Sequence, residues 1–252
     1  MSRLPRRRSC TGIYHIMLRG INKQSIFHED QDRVKFLSTL DRYKQVSNYQ
    51  LFGYCLMTNH IHLLIKENDE PVSNVIKRIS SSYVFWYNQK YNRTGHLFQE
   101  RYRSEVVDNE SYLLTVLRYI HQNPVKAGLC KNLQNYRWSS YNDYLKKSEL
   151  TDTEYVKSLF SENKEQSEKI YCEFMLQEQN DRCLDEEERM NISDEAIEEY
   201  FKQYGLKTSK DLFSLEKSKQ AEILRKIKLI EGVSERQLSR VSGISRNFIR
   251  RI

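Results

Sequence analysis

The sequence predicts an α+β protein: an antiparallel sheet of split βαββαβ order with helices on one face, followed by an all-α helix-turn-helix domain. Three observations predict it. Strand-like and helix-like periods alternate along the first half of the chain. Two of the strand runs, Tyr49 to Met57 and His60 to Ile65, are separated only by Thr58-Asn59 and so read as a hairpin. The last 21 residues carry two capped helical patterns on either side of Gly243.

The elements follow in order. Gly12 to Arg19 reads as a first strand that ends near Gly20. From Asp30 to Val46, the residues Val34, Phe36, Leu37, Leu40 and Tyr43 recur near helical spacing, with Asp30 or Asp32 placed to cap. The hairpin comes next and is expected to lie centrally, one face left free for a ligand. Pro71 opens a helix through Val75, Ile79 and Tyr83 to about Lys90. Asn92 to Gly95 reads as a turn and Ser104 to Val107 as a short strand. Asn109 or Ser111 starts another helix, which Pro124 is expected to stop. At the C-terminus, Ser234 and Ser245 are placed to cap two helices. Leu238, Val241, Ile244, Phe248 and Ile249 supply contacts between them, and Arg246, Asn247, Arg250 and Arg251 lie on the second.

Charge divides the 252 residues into three blocks. Residues 1–150 hold 23 Lys and Arg against 13 Asp and Glu, residues 151–200 hold 5 against 16, and residues 201–252 hold 13 against 5. The expected organisation is therefore a basic first domain over 1–150, an acidic helical connector over 151–200, and a basic helix-turn-helix domain over 201–252. Two basic blocks flanking an acidic one point to a polyanion, nucleic acid above all. The apolar runs are too short to span a membrane, and no apolar segment follows the basic N-terminus. Cys10, Cys55, Cys130, Cys172 and Cys183 have no paired spacing, so reduced thiols and a cytoplasmic location are expected.

The chemistry is concentrated in two stretches. In a strand, residues two apart share a face, so His60 and His62 stand side by side in Leu-Met-Thr-Asn-His-Ile-His-Leu-Leu-Ile. Two neutral imidazoles form a pair of metal ligands, although such a pair is as often a partly buried polar face. Tyr119 and Asn123 stand one helical turn apart in Leu-Arg-Tyr-Ile-His-Gln-Asn-Pro. Two imidazoles and an amide oxygen, completed by water or phosphate oxygens, suit Mg²⁺ or Mn²⁺. A metal beside Tyr119 turns its phenol into a useful nucleophile toward a phosphate. Among 17 tyrosines this one alone comes with a candidate ligand four positions on; Tyr83, Tyr87 and Tyr91 read as one helix face. Arg3, Arg6, Arg7 and Arg8 form a basic arm suited to a phosphate backbone, and His96, Arg101 and Arg103 follow the turn at Gly95. His15 and His121 read as structural, and Trp138 and Tyr141 as core.

These residues resemble a known family. His60-Ile61-His62 is similar to the histidine–hydrophobe–histidine motif of the HUH superfamily. With Met57-Thr58-Asn59, Gly95-His96-Leu97-Phe98-Gln99, Tyr119 to Gly128 and Trp138-Ser139-Ser140-Tyr141, the pattern resembles the single-tyrosine transposases, and within them the REP-associated tyrosine transposases. The likeness covers about residues 10 to 145. It implies a ferredoxin-like nuclease domain acting on single-stranded DNA, often beside a hairpin. It implies that His60, His62 and Asn123 bind the divalent ion and that Tyr119 attacks the phosphate, leaving a 5′-phosphotyrosine and a free 3′-hydroxyl. Some relatives in the wider family carry glutamine where this chain has Asn123, a minor departure. Duplex DNA through the helix-turn-helix and a homodimer are further expected partners.

Two other readings compete. One is a sequence-specific DNA-binding regulator that works through the helix-turn-helix, its nuclease-like domain inactive; the intact set of His60, His62, Tyr119 and Asn123 argues against decay. The other is a phosphoesterase using histidines directly, which calls for a third alternating histidine where Leu64 stands.

Overall fold

The computed structural model describes residues 7–99, 101–178, 183–184, 193–230 and 233–252. The chain divides into two compact units, Met1–Glu186 and Glu187–Ile252. The boundaries expected at 150 and 200 thus give way to one division.

In the first unit, β1 (Ile13–Arg19), β2 (Gln50–Leu56), β3 (His60–Lys66) and β4 (Arg103–Val106) form an antiparallel sheet of order β2-β3-β1-β4. The split βαββαβ order holds. β3 and β1 are central, whereas β2, the other arm of the hairpin, is an edge. Two helices cover one face, α1 (Asp30–Ser47) and α2 (Val72–Lys90). α1 starts at a capping box of Glu29 and Asp32, and ends at Asn48 in the left-handed conformation, φ 48°. α2 follows Pro71 and turns Val75, Ile76, Ile79, Tyr83 and Tyr87 inward. They meet Ile16 and Leu18 of β1, Leu63 and Ile65 of β3, and Phe36 and Leu40 of α1 in one core.

The expectation of helices on one face applies to α1 and α2 alone. α3 (Glu110–Lys126), capped by Asn109, packs on the opposite face, which the sequence reading left open. Leu113, Val116, Leu117 and Ile120 pack there with Phe52, Cys55 and Leu64. The close approach depends on Gly53, where an added Cβ would stand 2.7 Å from Leu117 Cδ1. Pro124 does not stop α3: it lies in the last turn, and the helix continues to Lys126. So close to the end, proline removes one intrahelical bond, while Ala127, Gly128 and Leu129 still donate to Asn123, Val125 and Pro124.

The first part of the expected connector is core. α4 (Glu154–Ser158) and α5 (Lys164–Leu176) place Val156, Tyr171 and Met175 with α3. Gln122 donates from Nε2 to the carbonyls of Met175 and Gln177, both at 2.9 Å, and buried Arg118 donates to Gln177 Oε1 at 3.3 Å. Acidic residues mark the solvent side of these helices, and apolar residues three and four apart mark the side that holds α3.

Among its described residues, the second unit has helices and no strand. α6 (Asp194–Gln203), α7 (Lys217–Lys228), α8 (Glu235–Ser242) and α9 (Arg246–Arg251) enclose Ile197, Phe201, Leu224, Ile227, Leu238 and Ile249. The expected caps are present: Ser234 Oγ accepts from the Gln237 amide, Ser245 Oγ from the Phe248 amide, and Gly243 closes α8 at φ 71°. No helix among the described residues is long and apolar enough to cross a membrane.

Candidate active site

The site grows from the alternation of β3. Ile61, Leu63 and Ile65 turn into the α1–α2 core, so His60, His62 and Leu64 turn to the face that α3 covers. The register extends that face sideways. Arg19 stands opposite His60, Met17 opposite His62 and His15 opposite Leu64; on β4, Arg103 stands opposite Met17 and Glu105 opposite His15. Opposed residues of an antiparallel pair share a face. Three adjacent strands therefore gather two arginines, three histidines and a glutamate on one side.

Within that group, the ring centroids of His60 and His62 are 5.0 Å apart, with their planes at 88°. Tyr119 descends from α3 with its ring edge-on, 5.8 Å from His62 and 5.9 Å from His15. At 5% exposure the phenol belongs to the cleft between α3 and the sheet. The Lys126 ammonium lies 5.7 Å from the Tyr119 ring centroid. Asn123, one turn beyond Tyr119 and half-buried, has a buried Nδ2 with no hydrogen-bond partner among the described residues.

The donor set fits a divalent ion. Two imidazoles sharing an octahedral ion, each nitrogen about 2.1 Å away, have centroids roughly 5 Å apart, as His60 and His62 do. An amide nitrogen buried without an acceptor is anomalous; turning the Asn123 amide over puts a carbonyl oxygen there, which suits a cation. Among the described residues no cluster of three or more His, Cys, Asp or Glu is arranged to hold a metal. An ion here would depend on the Asn123 amide and on oxygens from water or substrate.

Sequence reasoning passed over five neighbours of these residues. His15, read as structural, contacts both His62 and Tyr119. Glu105 sits against His15; burial raises its carboxyl pKa, but His15 and the Tyr112 hydroxyl outweigh that and hold it below the usual glutamate range. Asn59 Oδ1 lies 2.7 Å from His60 Nδ1. Arg19 and Lys126 complete the set. The strand parity of His15 and Arg19 was visible, but not which strand would pair with theirs.

The remaining predicted residues are dispersed. Arg103 is half-buried on the site face, Arg101 and His96 are exposed, and Arg7 and Arg8 are exposed. Arg6 lies outside the described residues. Arg246, Asn247, Arg250 and Arg251 are exposed on α9 of the second unit. Trp138 and Tyr141 are core, as expected. His121, on the far side of α3, is fully buried between Ser140 and Tyr171, and burial pushes its pKa down to about 3.

The family described as "Transposase IS200 like" matches residues 9–123, a span that contains the histidine pair, Tyr119 and Asn123. Over that span the chain is similar to the IS200-like transposases. A curated protein of Haemophilus influenzae named "Putative REP-associated tyrosine transposase" is 29% identical, over 44% of this chain and 75% of that protein. The solved "Structure of the REP associates tyrosine transposase bound to a REP hairpin" is 18% identical, with a TM-score of 0.49 over 61% of this chain and 96% of that one. The family match ends at Asn123, so α4, α5 and the second unit lie outside it.

Proposed function

We propose that residues 9–123 form a transposase domain, a metal-dependent endonuclease and strand transferase for single-stranded DNA, with Tyr119 as its nucleophile. The observation that carries this reading is the Tyr119 ring held edge-on 5.8 Å from His62, with His60 on the same strand face. His60, His62 and the Asn123 amide oxygen would hold Mg²⁺ or Mn²⁺, which when bound polarises the scissile phosphate and offsets incoming negative charge.

The chain's own residues do the rest. Tyr119 Oη attacks phosphorus as its proton passes to water. The bond from phosphorus to the 3′ oxygen breaks, and that oxygen takes a proton to become a free 3′-hydroxyl. The 5′ side stays on the enzyme as a phosphotyrosine, a bond of similar energy that a second hydroxyl reverses. A phenol with a free pKa near ~10 needs help to ionise, and Lys126 brings a cation to 5.7 Å from the ring centroid. Arg19 and Arg103, on the face of the histidines, suit the phosphate's other oxygens. Because Tyr119 is buried in the cleft, the strand must enter it, which favours an unpaired or hairpin-flanking strand over duplex.

The exposed Arg246, Asn247, Arg250 and Arg251 support a second contact, with duplex DNA, through a helix-turn-helix formed by α8 and α9. That contact is also what the regulator reading would need. A homodimer that places one chain's Tyr119 near another's histidines is compatible with this chemistry, as is work in the cytoplasm by a chain whose five cysteines form no disulfide. Incubation with Mn²⁺ and labelled single-stranded hairpin DNA should yield a protein–DNA adduct that survives denaturant. No adduct and no nicking, with duplex binding intact, would favour the regulator.

A further inference from the structure

Each imidazole has two ring nitrogens, and a neutral ring presents a lone pair on only one of them. Which one is decided by the partner of the other. For His60 the partner is Asn59, whose Oδ1 lies 2.7 Å from His60 Nδ1. The Asn59 amide is oriented by its own Nδ2, which donates to the Lys23 carbonyl at 3.3 Å, so an oxygen faces the ring. An oxygen there requires Nδ1–H on His60, and Nε2 keeps the lone pair.

His62 reaches the same state by a longer route. Its Nδ1 is 2.9 Å from Nε2 of His15, so one proton lies between two nitrogens and either ring could own it. The far nitrogen of His15 breaks the tie. His15 Nδ1 lies 3.6 Å from Glu105 Oε2, ion-pair range rather than a formed hydrogen bond. A carboxylate still favours an N–H dipole pointing at it and opposes a lone pair there. His15 and His62 are both 0% exposed, so water cannot substitute for either partner. With hydrogen on His15 Nδ1, His15 Nε2 accepts and His62 Nδ1 donates.

We propose that Glu105 and His15 form a relay across β4, β1 and β3 that holds His62 in the Nδ1–H tautomer, matching the tautomer that Asn59 holds on His60. Both Nε2 lone pairs are then presented together. Glu105, His15 and Asn59 are positioning residues; that the lone pairs meet a divalent cation rests on the reading under Proposed function, but the tautomers do not.

The test uses the full chain labelled with ¹⁵N-histidine, with long-range ¹H–¹⁵N correlations recorded without metal and Mn²⁺ affinity measured separately by calorimetry. In the wild type, His15, His60 and His62 should all carry hydrogen on Nδ1. Glu105→Leu removes the carboxylate, and a His62 population protonated on Nε2 should appear while His60 stays unchanged. Mn²⁺ affinity should fall roughly 10- to 100-fold. Glu105→Gln, whose amide oxygen can still face His15, should recover most of both. Asn59→Ala should disturb His60 and leave His62 alone. Wild-type His62 protonated on Nε2, as a doubly protonated His15 would impose, overturns the relay. So does a folded Glu105→Leu protein with wild-type tautomers and affinity. The expected tautomers with no Mn²⁺ binding to the wild type would support the relay and count against the metal reading instead.

Discussion

The two faces of this sheet are built from the same strands, one residue out of step, and they do opposite things. Toward α1 and α2 the strands turn Ile16, Leu18, Ile61, Leu63 and Ile65, which pack into a core of apolar and aromatic side chains. Toward α3 the alternate positions include His15, Arg19, His60, His62, Arg103 and Glu105, beside the apolar Met17 and Leu64. Burying an isoleucine or leucine contributes about 1.5–3 kcal/mol. Burying a histidine or glutamate costs free energy unless each polar atom finds a partner. The first face makes the domain stable; the second spends part of that stability on a polar cluster under a helix. The α1–α2 core and the site lie on opposite sides of the pleat, and the site shares its side with the apolar cluster of Phe52, Cys55 and Leu64 under α3.

The largest expected effect comes from crossing the two faces. Tyr119→Phe keeps the ring between His15 and His62 and removes one oxygen, so the thermal midpoint should barely move. Cleavage of single-stranded DNA and the covalent adduct should fall at least about a thousandfold, the scale on which losing a nucleophile is felt. Leu63→Ala, on the other face, should lower stability by about 2–5 kcal/mol, while molecules that remain folded cleave normally. Near-normal cutting by Tyr119→Phe would point to a water nucleophile. An adduct mapped by mass spectrometry to Tyr112 would keep the mechanism and move the assignment.

Next in size are the histidines. His60→Ala and His62→Ala should each abolish detectable nicking and weaken Mn²⁺ binding, with His62→Ala costing more stability because His62 is wholly buried and hydrogen-bonded to His15. Calorimetry with DNA present separates the two effects from unfolding. Mn²⁺ binding unchanged in both variants would remove these residues from the metal site.

How much of this was legible in the sequence follows from the same contrast. Period-two alternation around His60 and His62 identified the face, and helical spacing put Tyr119 and Asn123 together, because both signals are local. Capping residues did the same for Ser234, Gly243 and Ser245. What is not local was missed. His15 and Glu105 become neighbours only through the β1–β4 register, which no short window contains. The helix α5 was hidden by its charge: solvent-facing Glu and Lys made 151–200 look like a connector, although Tyr171 and Met175 are core. Pro124 misled because a proline in a helix's last turn disturbs little.

A smaller effect should come from the second unit. Ending the chain after Glu186 removes α6 to α9 as one compact body. Nicking of a short single-stranded substrate should persist within about twofold, while duplex affinity drops and its dependence on salt flattens, as loss of phosphate contacts requires. Equal affinity and an equal salt slope in the shortened chain would take DNA binding away from α8 and α9.

The smallest expected effect tests the far side of α3. His121 lies two residues from Tyr119, about 200° round the helix, and its ring is sealed between Ser140 Oγ at 2.9 Å and the Tyr171 hydroxyl at 3.1 Å. Burial lowers its pKa to about 3, against about 6.5 in an unfolded chain. The folded pKa is the depressed one, so as pH falls the unfolded chain takes the proton first. The stability this group contributes is complete above about 6.5 and is lost progressively from there toward about 3, by at most about 1.4 kcal/mol per pH unit. His121→Asn keeps a polar group between Ser140 and Tyr171 and removes the titration. Urea midpoints measured from pH 7 to 5 should therefore fall less steeply in the variant than in the wild type. Cleavage at pH 7 should be unchanged, because this imidazole supports α3 from behind and never meets the phosphate. Matching slopes would mean that the buried ring is protonated with little penalty, and that the outer side of α3 is looser than its sealed aromatic cluster implies.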